Sequence, residues 1–169
     1  MKIIATFLFL LITQIGYTQL ESHGFKVDSW KVVEKSLVLK IEFHRESQRQ
    51  VEDCKILVTK DNLEKNPTIT LQLPESAIQD DVVVVKFICE RDKDENRTEV
   101  LLDNCIDGIC SAIITNGLNV DPINGKTFDF YGKMSKCQAM FLVFKDDYGI
   151  KQFIRVPLEN FDREYQTLN

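Results

Sequence analysis

Cys105 and Cys110, separated by four residues in DNCIDGIC (103–110), are the pair whose chemistry the sequence raises first. Zinc sites and catalytic redox pairs usually draw their cysteines from C-x2-C spacings, so C-x4-C suits neither. The histidines offer less. His23 and His44 are the two in the chain, and neither adjoins a cysteine or serine motif. No G-x-S-x-G elbow, H-E-x-x-H pair or glycine-rich phosphate loop occurs. Carboxylates are plentiful, but Asp80-Asp81 and Asp146-Asp147 are adjacent residues that point apart on an extended chain. They read as turn chemistry.

One stretch imitates a metal loop. DKDENRTE places oxygen-bearing side chains at 92, 94, 96 and 98, the alternate spacing of an EF-hand, with Asp103 at the twelfth position. Arg97 occupies the place of the turn glycine, however, and strand-like residues flank the loop where helices are required. It reads as a charged hairpin loop, and no metal or cofactor is expected. Asn96-Arg97-Thr98 is also a glycosylation sequon, which matters only in a eukaryotic source with the loop exposed.

Stepping outward to the segments that must hold these residues, the first 18 have to be set aside. MKIIATFLFLLITQIGYT pairs Lys2 with an apolar run from Ile3 to Ile12, the pattern of a secretory signal peptide. The run is too short to span a bilayer, and cleavage is expected near Thr18–Gln19. No later stretch is apolar enough to cross a membrane, so residues 19–169 are expected to form one exported domain. The leader removes one lysine and no acid from a chain whose formal net charge is already −5. That balance, without a Lys/Arg cluster, argues against nucleic acid as a partner. All five cysteines lie beyond the leader, at 54, 89, 105, 110 and 137. Outside the cytosol, disulfides are the natural reading. Five is odd: Cys54, Cys89 and Cys137 allow three pairings, each leaving one over.

Period two runs through nearly all the rest. Leu37, Leu39, Ile41 and Phe43 alternate with polar or smaller residues, as do Ile69, Leu71 and Leu73. Val82–Cys89, VVVVKFIC, reads as a β-branched run, the pattern of a strand buried on both faces. In 137–145, Ala139, Phe141 and Val143 alternate with Met140, Leu142 and Phe144. Further strands are expected at 99–104, 109–115, 126–131 and 150–156, with weaker ones at 25–33 and 54–59. Helical spacing occurs only in NFDREYQTLN, where Phe161, Tyr165 and Leu168 share a face and Asn160 stands in the capping position. The expected fold is all-β: an antiparallel β-sandwich or flattened barrel of about ten strands with a short C-terminal helix.

Within that frame CIDGIC fits a hairpin. Asp-Gly is among the best two-residue type I′ loops, because both central positions need positive φ. Ile106 and Ile109 then pair beside the turn, and Cys105 and Cys110 form the next, closely spaced pair, at the short end of the disulfide range. In an oxidising compartment a disulfide is expected there, with two buried thiols as the alternative.

CIDGICSA (105–112) also resembles the C-x4-C-x-A signature of the invasion-associated locus B family of exported bacterial proteins. In that family a glycine directly precedes the second cysteine, whereas Gly108 stands one residue earlier here. Pro157, Phe161, Tyr165 and Leu168 are similar to the family's closing segment, with a shorter spacer and Asn160 in place of glycine. Trp30 and the Leu-Pro turn in 71–87 are weaker echoes. The resemblance implies a periplasmic or surface-exposed β-sandwich linked to host-cell invasion or envelope function, without enzymatic activity or catalytic residues to carry over. Two functions therefore compete: a non-enzymatic module acting by surface contacts with an envelope or host partner, and a small secreted enzyme or inhibitor whose loop-assembled site would use His44 and the carboxylates of 92–95.

Overall fold

The computed structural model describes residues 24–44, 51–60, 67–90, 96–114 and 119–168. The expected leader, His23 and the carboxylates of 92–95 lie outside them. The described residues form two antiparallel sheets packed face to face, with neither closed into a barrel.

Sheet A holds β1 (Phe25–Val27), β2 (Lys31–Val33), β3 (Ser36–His44), β4 (Val51–Thr59), β5 (Thr68–Pro74), β8 (Asn104–Ile106) and β9 (Ile109–Ile114). Its order is β1-β3-β4-β5-β9-β8, with β2 also on β3. Sheet B runs β13-β12-β6-β7, from Lys151–Pro157, Ala139–Lys145, Val82–Ile88 and Arg97–Leu101 respectively. A small hairpin, β10 (Asn119–Val120) with β11 (Thr127–Phe128), lies beside them.

The alternation read from the sequence determines the inner faces. Leu37, Leu39 and Ile41 on β3, Cys54, Ile56 and Val58 on β4, and Ile69, Leu71 and Leu73 on β5 are all buried. They meet Val83, Val85 and Phe87 of β6 and Met140, Leu142 and Phe144 of β12 in one core. The void left where the sheets meet, between Ile56, Leu71, Val85 and Leu142 among others, is about 10 Å³. That holds at most one water, as expected of close-packed apolar layers.

The structure departs from the sequence pattern at several elements. The expected strand at 25–33 is two strands on the same edge of β3. Val27 pairs with Ile41 and Lys31 with Val38, so the outer chain spends one residue more than its partner. The break lets Trp30 turn inward, where its Nε1 donates to the Pro157 carbonyl at 2.9 Å. The expected strand at 99–104 also divides, because β7 belongs to sheet B and β8 to sheet A. Buried Leu102 makes the crossing, its N–H donating to the Asp81 carbonyl at 2.7 Å.

The expected strand at 126–131 is corrected. Only Thr127–Phe128 is extended, and α1 (Phe130–Lys136) follows. Asp129 caps this helix, Oδ1 accepting from the Gly132 N–H at 2.9 Å, while Phe130 and Met134, one turn apart, enter the core. The alternation of Phe128 and Phe130 resembles a strand until Asp129 is counted as a cap.

The C-terminal helix, α2 (Phe161–Gln166), forms as expected, with Phe161, Tyr165 and Leu168 buried. Asn160 stands at its N-cap, but the side chain makes no capping hydrogen bond. Phe161 packs edge-on to Trp30 at 5.1 Å, and Tyr131 of α1 packs on Tyr165 at 4.9 Å. These rings close one end of the sandwich.

The expectation of two-sided burial for Val82–Cys89 is overturned. Val83, Val85 and Phe87 face the core, whereas Val82 and Ile88 on the opposite face are exposed. Among the described residues a single layer of the sandwich lies against this strand, on its inner side.

Candidate functional site

The hairpin motif folds with Asp107 at φ 51° and Gly108 at φ 77°, the two positive values that a type I′ turn demands. Ile106 pairs with Ile109 and Cys105 with Cys110 across β8 and β9. A disulfide joins Cys105 to Cys110, with Cα atoms 3.9 Å apart. Nothing nucleophilic remains at this motif. A recess of about 660 Å³ beside it is lined by Asp53, Lys55, Glu75, Ser76 and Gly108. Asp53 accepts from Lys40 at 3.0 Å, and that hydrogen bond raises the ammonium's pKa above its ordinary value.

A second disulfide joins Cys89, just beyond β6, to Cys137, just before β12. Of the three pairings open to the remaining cysteines this is the one formed, and it leaves Cys54 as a thiol sealed within sheet A. Buried among aliphatic side chains, Cys54 is placed to act as a small apolar residue rather than as a link to another chain. Pairing at this distance along the chain had no local signal; only the neighbouring register of β6 and β12 makes it. Beside the bond is a recess of about 680 Å³ lined by Glu90, Asp129, Lys133, Lys136 and Gln138. Its two acids and two lysines include no nucleophile–base pair.

The conspicuous carboxylates serve turns. Asp146 is buried and accepts from the N–H groups of Tyr148 (3.0 Å) and Ile150 (2.8 Å) and from Gln152 Nε2 (2.6 Å), holding the DDYG turn between β12 and β13. Asp121 is fully buried, and its sequence pattern alone does not mark it as such. Its Oδ1 accepts from Ile123 N (2.8 Å) and Asn124 N (3.4 Å), and its Oδ2 from Arg97 N (3.2 Å) on β7. Burial pushes this carboxyl's pKa up, but the three N–H donors and the Arg97 charge outweigh it and hold the pKa below its ordinary value. The available signal was Asp before Pro122 and Asn124-Gly125, an Asx-turn pattern.

His44 ends β3 opposite Val51, and its other proposed partners lie outside the described residues. Thr98, the last residue of the EF-like spacing, is buried on the core side of β7. Among the described residues no three His, Cys, Asp or Glu side chains gather as a metal site.

Exposed apolar side chains gather on the outer face of sheet B, as Ile106, Ile109 and Ile113 do at the β8–β9 edge of sheet A. Register places Phe153, Val143, Val84 and Glu99 in one row across the four strands, and Arg155, Phe141, Lys86 and Arg97 in the next. Pro157, Ala139 and Ile88 continue the face at one end, with Lys151, Lys145, Val82 and Leu101 at the other. Phe153 is 51% exposed and Leu101 57%. Val143 lies flush between its neighbours at 9%. Lys151 sits 5.3 Å over the Phe153 ring, and Lys145 and Arg155 reach exposed carboxylates of Asp80 (3.3 Å) and Glu159 (3.4 Å). This face mixes apolar side chains with cations, Lys86 among them on an inner strand, on an acidic protein.

No protein-family model, curated protein or solved structure matches the chain.

Proposed function

We propose that this chain is an exported, non-enzymatic β-sandwich that acts by surface contacts at the cell envelope or with host molecules. The observation that carries the reading is the outer face of sheet B, where Phe153, Leu101, Val82 and Ile88 are exposed beside half-buried Val84 and Phe141. Apolar side chains grouped on one exposed face suit a contact surface. Export is supported by the two disulfides, which persist in oxidising compartments, and by the leader-like composition of residues 1–18. The resemblance of 105–112 and the closing segment to the invasion-associated locus B family points the same way.

The test is to express the full chain with a C-terminal tag in a bacterial host, fractionate the cells and sequence the mature N-terminus. Export predicts a chain beginning near Gln19 outside the cytosol, with Cys54 alone alkylated before reduction of the denatured protein. An uncleaved cytosolic chain with five reactive thiols would overturn the reading.

A further inference from the structure

We infer that the outer face of sheet B is a docking surface for a protein partner that presents apolar side chains set among carboxylates. The inference rests on the reading of this chain as a binding module and names what it binds.

The two inner strands of the sheet carry the argument. β6 (VVVVKFI) and β12 (AMFLVFK) carry apolar side chains on both faces, with Lys86 and Lys145 the exceptions on the outer one. Among the described residues a layer lies on one side only, so Val82, Val84, Phe141 and Val143 stand together on the outer face. β13, at the sheet's edge, turns Phe153 to the same side, where an ordinary solvent-facing strand would place a polar residue.

Charge selects the occupant. Lys145, Lys151 and Arg155 line the β12–β13 side of this face, whose strands carry a single acid, Glu99, although the chain as a whole is at −5. The ion pairs of Lys145 and Arg155 with Asp80 and Glu159 are exposed on both sides, hence weak and exchangeable for a partner's carboxylates. A second copy docked through the same face would bring a surplus of cations together, which disfavours the isologous dimer. A membrane is disfavoured by shape. Interfacial segments sink apolar groups about 5–10 Å below the headgroups, whereas Val143 is flush and Val84 and Phe141 are half-buried. A protein surface with an apolar centre and an acidic rim satisfies both the apolar side chains and the cations.

Size sets the strength. Strand spacings of about 4.8 Å and rises of about 3.4 Å give the face roughly 300 Å² in projection. Standard interfaces bury about 800 Å² per partner, so binding through this face alone is weak and salt-sensitive.

The probe is a 12-residue peptide alternating glutamate with valine and phenylalanine, its control the same peptide with lysine for glutamate. Fluorescence anisotropy and amide chemical shifts on the mature, oxidised protein read binding and location. The glutamate peptide is expected to bind at least tenfold more tightly than the lysine peptide, shifting amides of β6, β12 and β13. Phe153→Asp and, separately, Lys151→Glu are expected to weaken it tenfold or more, while Thr70→Glu on sheet A leaves it unchanged. Phe153 and Lys151 are exposed, and a dispersed amide spectrum confirms that each variant folds. Equal affinity for both peptides, shifts centred outside sheet B, or no binding by ~1 mM peptide overturns the inference. So does binding to vesicles of anionic phospholipid with none to the peptide. Because the leader and disulfides are read independently, failure here leaves the export reading standing.

Discussion

Gly132 stands at the third position of α1, three residues beyond the Asp129 cap. Replacing a helical glycine by alanine ordinarily stabilises by about 1 kcal/mol. Here an added Cβ would run into Oδ2 of the capping carboxylate, so the cap is displaced as the helix gains propensity. Loss of a cap costs about 1 kcal/mol as well, and Gly132→Ala is expected to leave the unfolding midpoint almost unchanged. In an Asp129→Ala background the same substitution should stabilise by the full amount. Additive effects in urea denaturation of the four proteins would refute the coupling. Asp121 provides a pH test. Its pKa is lowered in the folded state, so its ionised form contributes stability that is complete above the unfolded value of 3.8 and lost as pH falls through the folded value. Asp121→Asn brings N–H donors against N–H donors. The variant should melt below the native protein at neutral pH, and the gap should narrow on acidification below 3.8. A gap that is constant between neutral and strongly acidic pH would contradict this account.

Among elements, the β8–β9 hairpin shows what a local signal can specify. Asp107-Gly108 demands positive φ at two successive residues, and that demand places Cys105 opposite Cys110 whatever the rest of the chain does. Closing so small a loop is worth about 2 kcal/mol in the chain-entropy model. The Cys105→Ser/Cys110→Ser protein should therefore remain folded, destabilised by roughly that amount in chemical denaturation. Collapse of the native amide spectrum would show that the staple does more than pin register. The helix α1 was illegible for an equally local reason. Gly132 lowers helical propensity and Phe128-Asp129-Phe130 alternates like a strand, while the cap contact that decides the matter is a side-chain geometry. The division of 99–104 into β7 and β8 was hidden differently. Nothing in those residues says that the chain leaves one sheet for the other at Leu102.

For the whole molecule, the Cys89–Cys137 bond matters more than the hairpin staple. It closes a 48-residue separation that contains β7 to β11 and α1, worth about 4 kcal/mol by the same model. Against a typical total of about 5–15 kcal/mol, Cys89→Ser/Cys137→Ser should lower stability about twice as much as loss of the hairpin bond. Paired denaturation curves check the ranking, and the reverse order would sink it. The sequence by itself determined the β class, the alternation of the inner faces, the hairpin and the C-terminal helix, because each depends on residues within one turn or one strand of each other. The tertiary structure alone decided which distant cysteines meet, that Asp121 is buried against β7, and that among the described residues β6 and β12 have a layer on one side only. An apolar run carries the same pattern whether its second face is covered by its own chain or left for a partner. Only the packing of one sheet on another distinguishes the two.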